Sequence, residues 1–161
     1  MKITAVKLYE NGFMRQPFAF GGEEGPEKFD PSVMYRSSLQ NFVIDTGSDV
    51  ILVDTGMPDG IPDAAPDATT PIFMGTRIED YLDALKTAGY TPDRVSKILI
   101  THKHDDHTGM ISAFPNAKVY ISPEDADAMG LKGDNIVRLT YGDGPYRGFP
   151  ASQIVRRHKD H

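Results

Sequence analysis

Apolar positions along this chain fall into short runs separated by stretches rich in Gly, Pro and Asp, and the runs predict the elements. Met1 to Tyr9 reads as a first strand, ended by Asn11-Gly12, and the stretch from there to Pro31 reads as a long surface loop without periodicity. Phe42-Val43-Ile44 and Val50-Ile51-Leu52-Val53 flank Asp45-Thr46-Gly47-Ser48-Asp49, whose residues suit a tight reversal, so Leu39 to Asp54 reads as a hairpin. Asp54-Thr55-Gly56 closes its second strand. Pro58 to Pro71 carries too few apolar residues for an element and reads as a flexible loop over a site.

Thr76-Arg77-Ile78-Glu79 has the form of a capping box, with Ile78, Leu82 and Leu85 on one face of a helix that stops at Gly89. Thr91-Pro92-Asp93 is a turn, and Val95 to Thr101, centred on Ile98-Leu99-Ile100, is a buried strand. Met110 to Phe114 reads as a short helix and Lys118 to Ile121 as a strand. Ser122-Pro123-Glu124-Asp125 supplies an N-cap, an N1 proline and an acidic first turn for a helix ending near Gly130. Strands alternating with helices predict an α/β layered fold in one domain spanning residues 1–161, with no Gly-rich phosphate loop after any strand.

Composition narrows the partners. Asp and Glu total 23 against 17 Lys and Arg, a formal charge of −6, so no broad basic surface is available for nucleic acid. No apolar run approaches the ~20 residues a bilayer span needs, and the N-terminus becomes charged too early for a secretory leader, so the expectation is a cytoplasmic protein without membrane contact. Cysteine is absent, so any metal must be held by nitrogen and oxygen.

The chemistry concentrates in His102-Lys103-His104-Asp105-Asp106-His107, directly after the buried strand. Imidazoles two residues apart on an irregular loop can turn toward one point, whereas on a helix they diverge by roughly 200°. His102 and His104 therefore suit one metal, and Asp106 with His107 a second one close by, with the donor types that first-row transition metals take. Lys103 and Asp105 alternate with these and read as solvated charges pointing away. Two cations about 3.5 to 4 Å apart would activate water and polarise a carbonyl, the chemistry of ester, lactone or amide hydrolysis.

The same six residues, with Thr101 before and Thr108-Gly109 after, match H-x-H-x-D-H and resemble the metallo-β-lactamase superfamily, as does Val53-Asp54-Thr55-Gly56. Phe114-Pro115-Asn116-Ala117-Lys118-Val119-Tyr120 is similar to its lactonase-like and hydroxyacylglutathione-hydrolase-like branches. The resemblance runs from about Leu39 to Met129 and implies an αββα sandwich, of which this chain holds the N-terminal half. It implies metal ligation by His102, His104, Asp106 and His107, with zinc, two ions per complete site, as the expected metal. Manganese or iron fits the same donors. It makes Asp106 the catalytic group that takes or relays the proton of the attacking water. Asp54 becomes a residue that orients the ligand loop, a role weighed against plain turn capping.

Family members draw a third histidine, a bridging aspartate and a last histidine from a C-terminal half, whereas here only His158 and His161 remain, in Arg156-Arg157-His158-Lys159-Asp160-His161. The expectation is therefore a piece of a larger enzyme, or a short variant that pairs with another subunit, exposing apolar surface in either case. Three readings follow: a metal-dependent hydrolase of a small ester, thioester or lactone; a non-catalytic metal-binding or interaction fragment; and, less favoured by the acidic balance, a nuclease or phosphodiesterase.

Overall fold

The computed structural model describes residues 1–20 and 28–139. Its larger sheet grows outward from the hairpin. Strands β4 (Gln40–Asp45) and β5 (Val50–Val53) pair antiparallel through the Asp45–Asp49 reversal, where Gly47 has φ 91° and the Thr46 amide donates to the Asp49 carbonyl over 3.0 Å. Strand β1 (Lys2–Lys7) adds antiparallel to β4. On the other side β7 (Val95–Leu99), β8 (Lys118–Ile121) and β9 (Ile136–Arg138) add in parallel, giving the order β1-β4-β5-β7-β8-β9. A second sheet, β3-β2-β6, comprises β2 (Tyr9–Arg15), β3 (Met34–Ser37) and β6 (Ile72–Arg77), all antiparallel. The helices are α1 (Gln16–Phe20), α2 (Tyr81–Thr87), α3 (Asp105–Thr108) and α4 (Pro123–Ala128). Among the described residues no helix is long and apolar enough to cross a membrane.

Register explains where the core sits. Val43, Leu52, Ile98 and Val119 are directly paired neighbours, all fully buried, and they join Tyr81 and Leu85 of α2 and Ala126 of α4 in one cluster. Side chains alternate across a sheet, so the next residues along each strand form a row on the opposite face: Ala5, Phe42, Val53, Leu99, Tyr120 and Val137, paired strand to strand across the whole sheet. That second row is also apolar, yet Phe42 is 37% and Leu99 36% exposed. Sheets with parallel strands are normally covered on both faces. The described residues thus supply a sheet with helices on one face, half of the four-layer sandwich, and present the other face open.

Three readings of the sequence need correction, and two strands went unread. Asn11-Gly12 does not end a strand, because β2 runs through it: Asn11, at φ 60°, opposes Gly75 in the register, and at Gly12 the backbone of β6 comes so close that a side chain would meet the Met74 carbonyl at 2.5 Å. A dipeptide that usually turns here permits close backbone approach instead. The long surface loop before Pro31 contains α1, and Met34–Ser37 and Ile136–Arg138, which carry no alternation long enough to read, are strands β3 and β9. The capping box is not used, since Thr76 and Arg77 finish β6, Ile78 is 49% exposed, and α2 starts after Asp80. Tertiary pairing of β6 with β2 overrides the local helix signal.

The remaining elements stand where they were read. Gly89 (φ 91°) stops α2, the Ser122 hydroxyl accepts the Asp125 amide at 3.1 Å to cap α4, and Gly130 (φ 65°) follows it. The loop from Pro58 to Pro71 has no helix or strand, but it is fastened: Arg77, stacked 5.4 Å over the Tyr9 ring, donates to Asp63, Asp80 and the Ile61 carbonyl.

Candidate metal centre

Parallel neighbours β5 and β7 end side by side, and the site is built on the two segments that leave them. The Asp54 amide donates to the Leu99 carbonyl over 2.9 Å, which sets Asp54 beside Thr101. Asp54 is 4% exposed and has φ 62°, a left-handed conformation that costs a non-glycine residue about 1 kcal/mol or more. Four hydrogen bonds across the next residues close the two segments together. The Thr55 amide and hydroxyl donate to the His107 carbonyl at 2.7 and 3.2 Å, the Gly109 amide to the Gly56 carbonyl at 2.8 Å, and the Met110 amide to the Thr55 hydroxyl at 3.3 Å.

Gly109 is where this seam is tightest, because a Cβ there would lie 2.2 Å from the Pro58 backbone nitrogen. Gly109→Ala is therefore expected to push the two segments apart and lower stability by about 1–3 kcal/mol, read as a reduced urea midpoint at unchanged slope.

The histidine cluster itself is part loop, part helix. His102 and Lys103 lie in irregular backbone, while His104 is the extended N-cap of α3, its carbonyl accepting the His107 and Thr108 amides, so Asp106 and His107 ride on a single helical turn. The expected loop location thus holds for the first pair and is corrected for the second. Rings converge: the His102 centroid is 4.6 Å from that of His104 and 4.0 Å from that of His107.

Asp54 organises them. Its Oδ1 accepts the Thr101 amide at 2.8 Å, and its Oδ2 accepts the Thr101 hydroxyl at 2.9 Å and His107 Nδ1–H at 2.7 Å. Because the Thr101 hydroxyl spends its proton on Asp54, it accepts from His102 Nδ1–H, 3.0 Å away. One carboxylate therefore orients two imidazoles, His107 directly and His102 through Thr101, and turns the Nε2 atom of each away from it, as outer partners of metal-binding histidines do. His102 Nε2 lies 3.1 Å from His104 Nδ1, and His107 Nε2 lies 3.3 Å from Asp106 Oδ2. Bonds of about 2.0–2.1 Å at a tetrahedral angle put neighbouring donor atoms about 3.3 Å apart, so each pair has the spacing of one edge of a metal's coordination shell.

The donor chemistry and spacing thus suit a transition metal pair by pair. Among the described residues, however, no three or more His, Asp or Glu side chains are disposed to surround a single ion. His158 and His161 lie outside the described residues. Lys103 and Asp105 are exposed, as their alternation implies, and with His104, Ala128 and Met129 they line an open cavity of about 700 Å³.

Charge distribution follows the contacts. Burial alone would lower His107, but its bonds to Asp106 and Asp54 outweigh that and hold its pKa up to about 9. Burial, and the neighbouring His107 and His104, push His102 down to about 4. Burial would raise Asp106, but its bond to His107 holds the carboxyl below the usual range. A proton on the cluster therefore rests on His107. The signs give a stability optimum for the metal-free protein. His102, lowered from 6.5, contributes stability that is lost as pH falls from 6.5 toward 4; His107, raised from 6.5, contributes stability that is lost as pH rises from 6.5 through about 9. Urea midpoints measured across that range are expected to peak near pH 6.5 and to flatten in His107→Gln on the alkaline side.

Thr55, Thr101 and Tyr81 were not assigned roles from sequence. Thr55 and Tyr81 are almost fully buried, and the Tyr81 hydroxyl donates to the Asp54 carbonyl over 3.1 Å. The local signal for Thr55 was the Asp54-Thr55-Gly56 turn itself, and for Thr101 its place directly before the histidine motif.

A sequence model of the metallo-beta-lactamase superfamily matches residues 40–159. The chain belongs to that superfamily. Curated superfamily relatives include an N-acyl homoserine lactonase of Bacillus thuringiensis, 30% identical over 143 residues that cover 78% of this chain and 55% of the relative. Another is an N-acyl homoserine lactonase of Bacillus cereus, 28% identical over 132 residues, or 71% and 51% of the two chains. Among solved superfamily structures, a quorum-quenching N-acyl homoserine lactone hydrolase overlays with a TM-score of 0.57 at 25% identity, covering 82% of this chain and 52% of that one. An N-acyl homoserine lactone hydrolase with N-hexanoyl-L-homoserine at its catalytic metal centre overlays with a TM-score of 0.62 at 21% identity, covering 81% and 51%. The chain spans about half the length of these relatives.

Proposed function

We propose that this chain carries the first half of a dinuclear metal centre in a hydrolase of small lactones or esters. His102 Nε2 and His104 Nδ1 hold one ion, and Asp106 and His107 Nε2 hold the second. Zinc is the preferred metal, and manganese or iron is compatible with the same donors. The observation that carries this reading is the pair of donor spacings, 3.1 and 3.3 Å, fixed from behind by one buried carboxylate. Metal ions bound there would supply a lowered water pKa and a polarised substrate carbonyl. The residues of the chain do the rest. Asp54 and Thr101 keep both Nε2 atoms turned toward the ions, and Asp106, held ionised, takes the proton released as water attacks. Lactones are the favoured substrate class because the lactonase relatives share 30% of their aligned residues with this chain.

The donors that would complete each ion lie outside the described residues, on further polypeptide or on a second copy of the chain, packed against the open face that bears Phe42 and Leu99. A formal charge of −6 disfavours the nuclease reading. The test is metal content and turnover on the purified chain. About two equivalents of zinc, with hydrolysis of N-hexanoyl homoserine lactone that chelation abolishes and zinc restores, is the expected result. Bound zinc with no turnover across a panel of lactones and esters would favour the non-catalytic metal-binding reading, and a folded protein that binds no metal would overturn both.

A further inference from the structure

We infer that Tyr81, on α2 and outside the ligand motif, is a positioning residue for His107, acting through the backbone of Asp54. The inference rests on the metal-centre reading for its consequence, but not for its geometry. Every polar group of Asp54 is engaged: its amide by Leu99, its carboxylate by Thr101 and His107, and its carbonyl by the Tyr81 hydroxyl at 3.1 Å. Asp54 holds a left-handed φ of 62°, which a non-glycine residue keeps only where its surroundings over-determine it. The carbonyl bond is the component of that restraint delivered from another element. Asp54 and Tyr81 are both almost fully buried, so water has little access to replace the bond.

The chain is shaped to admit this contact. Gly56, two residues after Asp54, has φ 67°, and a Cβ there would lie 2.7 Å from the Tyr81 ring and 2.8 Å from Leu8. The absent side chain lets the phenol slide beneath the turn. Its ring is held edge-on to Phe114, with centroids 6.2 Å apart. When the hydroxyl is lost, the Asp54 peptide loses a buried donor while the ring keeps its packing. The peptide can then relax toward ordinary φ, which swings the carboxylate away from His107 Nδ1 and Thr101.

The test is Tyr81→Phe on the whole chain, with Leu85→Ala as a control that loosens the same helix without touching Asp54. The first readout needs no metal: the His107 ring nitrogens by long-range proton–nitrogen NMR in the metal-free protein. The second is zinc affinity by competition with a chromogenic chelator. Tyr81→Phe is expected to remain folded, to shift the His107 Nδ1 signal as its hydrogen bond to Asp54 is lost, and to weaken zinc binding about tenfold, the scale of an outer partner's loss. Leu85→Ala should lower the melting temperature with the His107 signals in place. Unchanged His107 signals in Tyr81→Phe, or equal shifts in Leu85→Ala, would overturn the inference. A His107 shift confined to Tyr81→Phe, in a protein that binds no zinc at all, would support the Tyr81 link and defeat the metal reading separately.

Discussion

His104→Ala is expected to remove one equivalent of zinc and to cut lactone hydrolysis by more than a hundredfold, beyond the roughly 10- to 100-fold range typical of losing a mere outer partner. The imidazole supplies half of the first donor pair, 3.1 Å from His102 Nε2. Its backbone, not its ring, caps α3: the carbonyl accepts the His107 and Thr108 amides, and the side chain makes no cap hydrogen bond. Alanine preserves that backbone role, so the fold should persist, with a melting temperature within a few degrees of the parent. A folded variant that has lost one zinc and its activity separates ligation from structure. Retention of both zinc equivalents would remove His104 from the site.

Asp54→Asn carries the second large effect, because it distinguishes the two roles between which sequence alone left Asp54. Asparagine tolerates the left-handed conformation as well as aspartate does and caps turns equally well. If Asp54 merely shaped the turn, the substitution would change little. If it orients the site, the amide NH₂ stands either opposite the Thr101 amide or opposite both the Thr101 hydroxyl and His107 Nδ1–H, a donor against donors in either place. Either placement breaks part of the set that holds Thr101 and His107, and zinc affinity is expected to fall about 10- to 100-fold in a folded protein. Asp54→Ala goes further. It strips acceptors from the Thr101 amide, the Thr101 hydroxyl and His107 at a residue 4% exposed, and leaves a residue disfavoured at φ 62°. At about 1–3 kcal/mol for each donor left unsatisfied, a loss of about 3 kcal/mol or more is expected in the urea-unfolding free energy.

These residues also mark how far the sequence could be read. The hairpin, β7, β8, α4 and the histidine motif were visible because each is a local pattern: an apolar run, a cap, a glycine stop, or donors at fixed spacing. What was not visible depended on partners remote in sequence. β6 looked like a helix start at Thr76 until its pairing with β2 is known. Asn11-Gly12 looked like a turn until Gly75 opposes it. β3 and β9, four and three residues long, are too short to show a period. The same limit applies in the site. The motif named the four donors and their two pairs, but the fixing of His107 and Thr101 comes from Asp54, 47 to 53 residues away from the groups it holds. The reach of Tyr81 across 27 residues to the Asp54 carbonyl has no counterpart in local pattern at all.

The open face of the large sheet follows the same logic. Its apolar row of Ala5, Phe42, Val53, Leu99, Tyr120 and Val137 becomes a row only once the register aligns six strands. The apolar runs Phe42-Val43-Ile44, Val50-Ile51-Leu52-Val53 and Ile98-Leu99-Ile100 announced buried strands without saying what covers each face.

The central claim is that two pairs of donors stand ready at metal-edge spacing, and anomalous diffraction collected at the zinc edge from crystals grown with zinc tests it most directly. Two peaks are expected, one within about 2.1 Å of both His102 Nε2 and His104 Nδ1, the other at the same distance from His107 Nε2 and an Asp106 oxygen. A map with no peak between either pair, or with zinc held elsewhere on the chain, would contradict it.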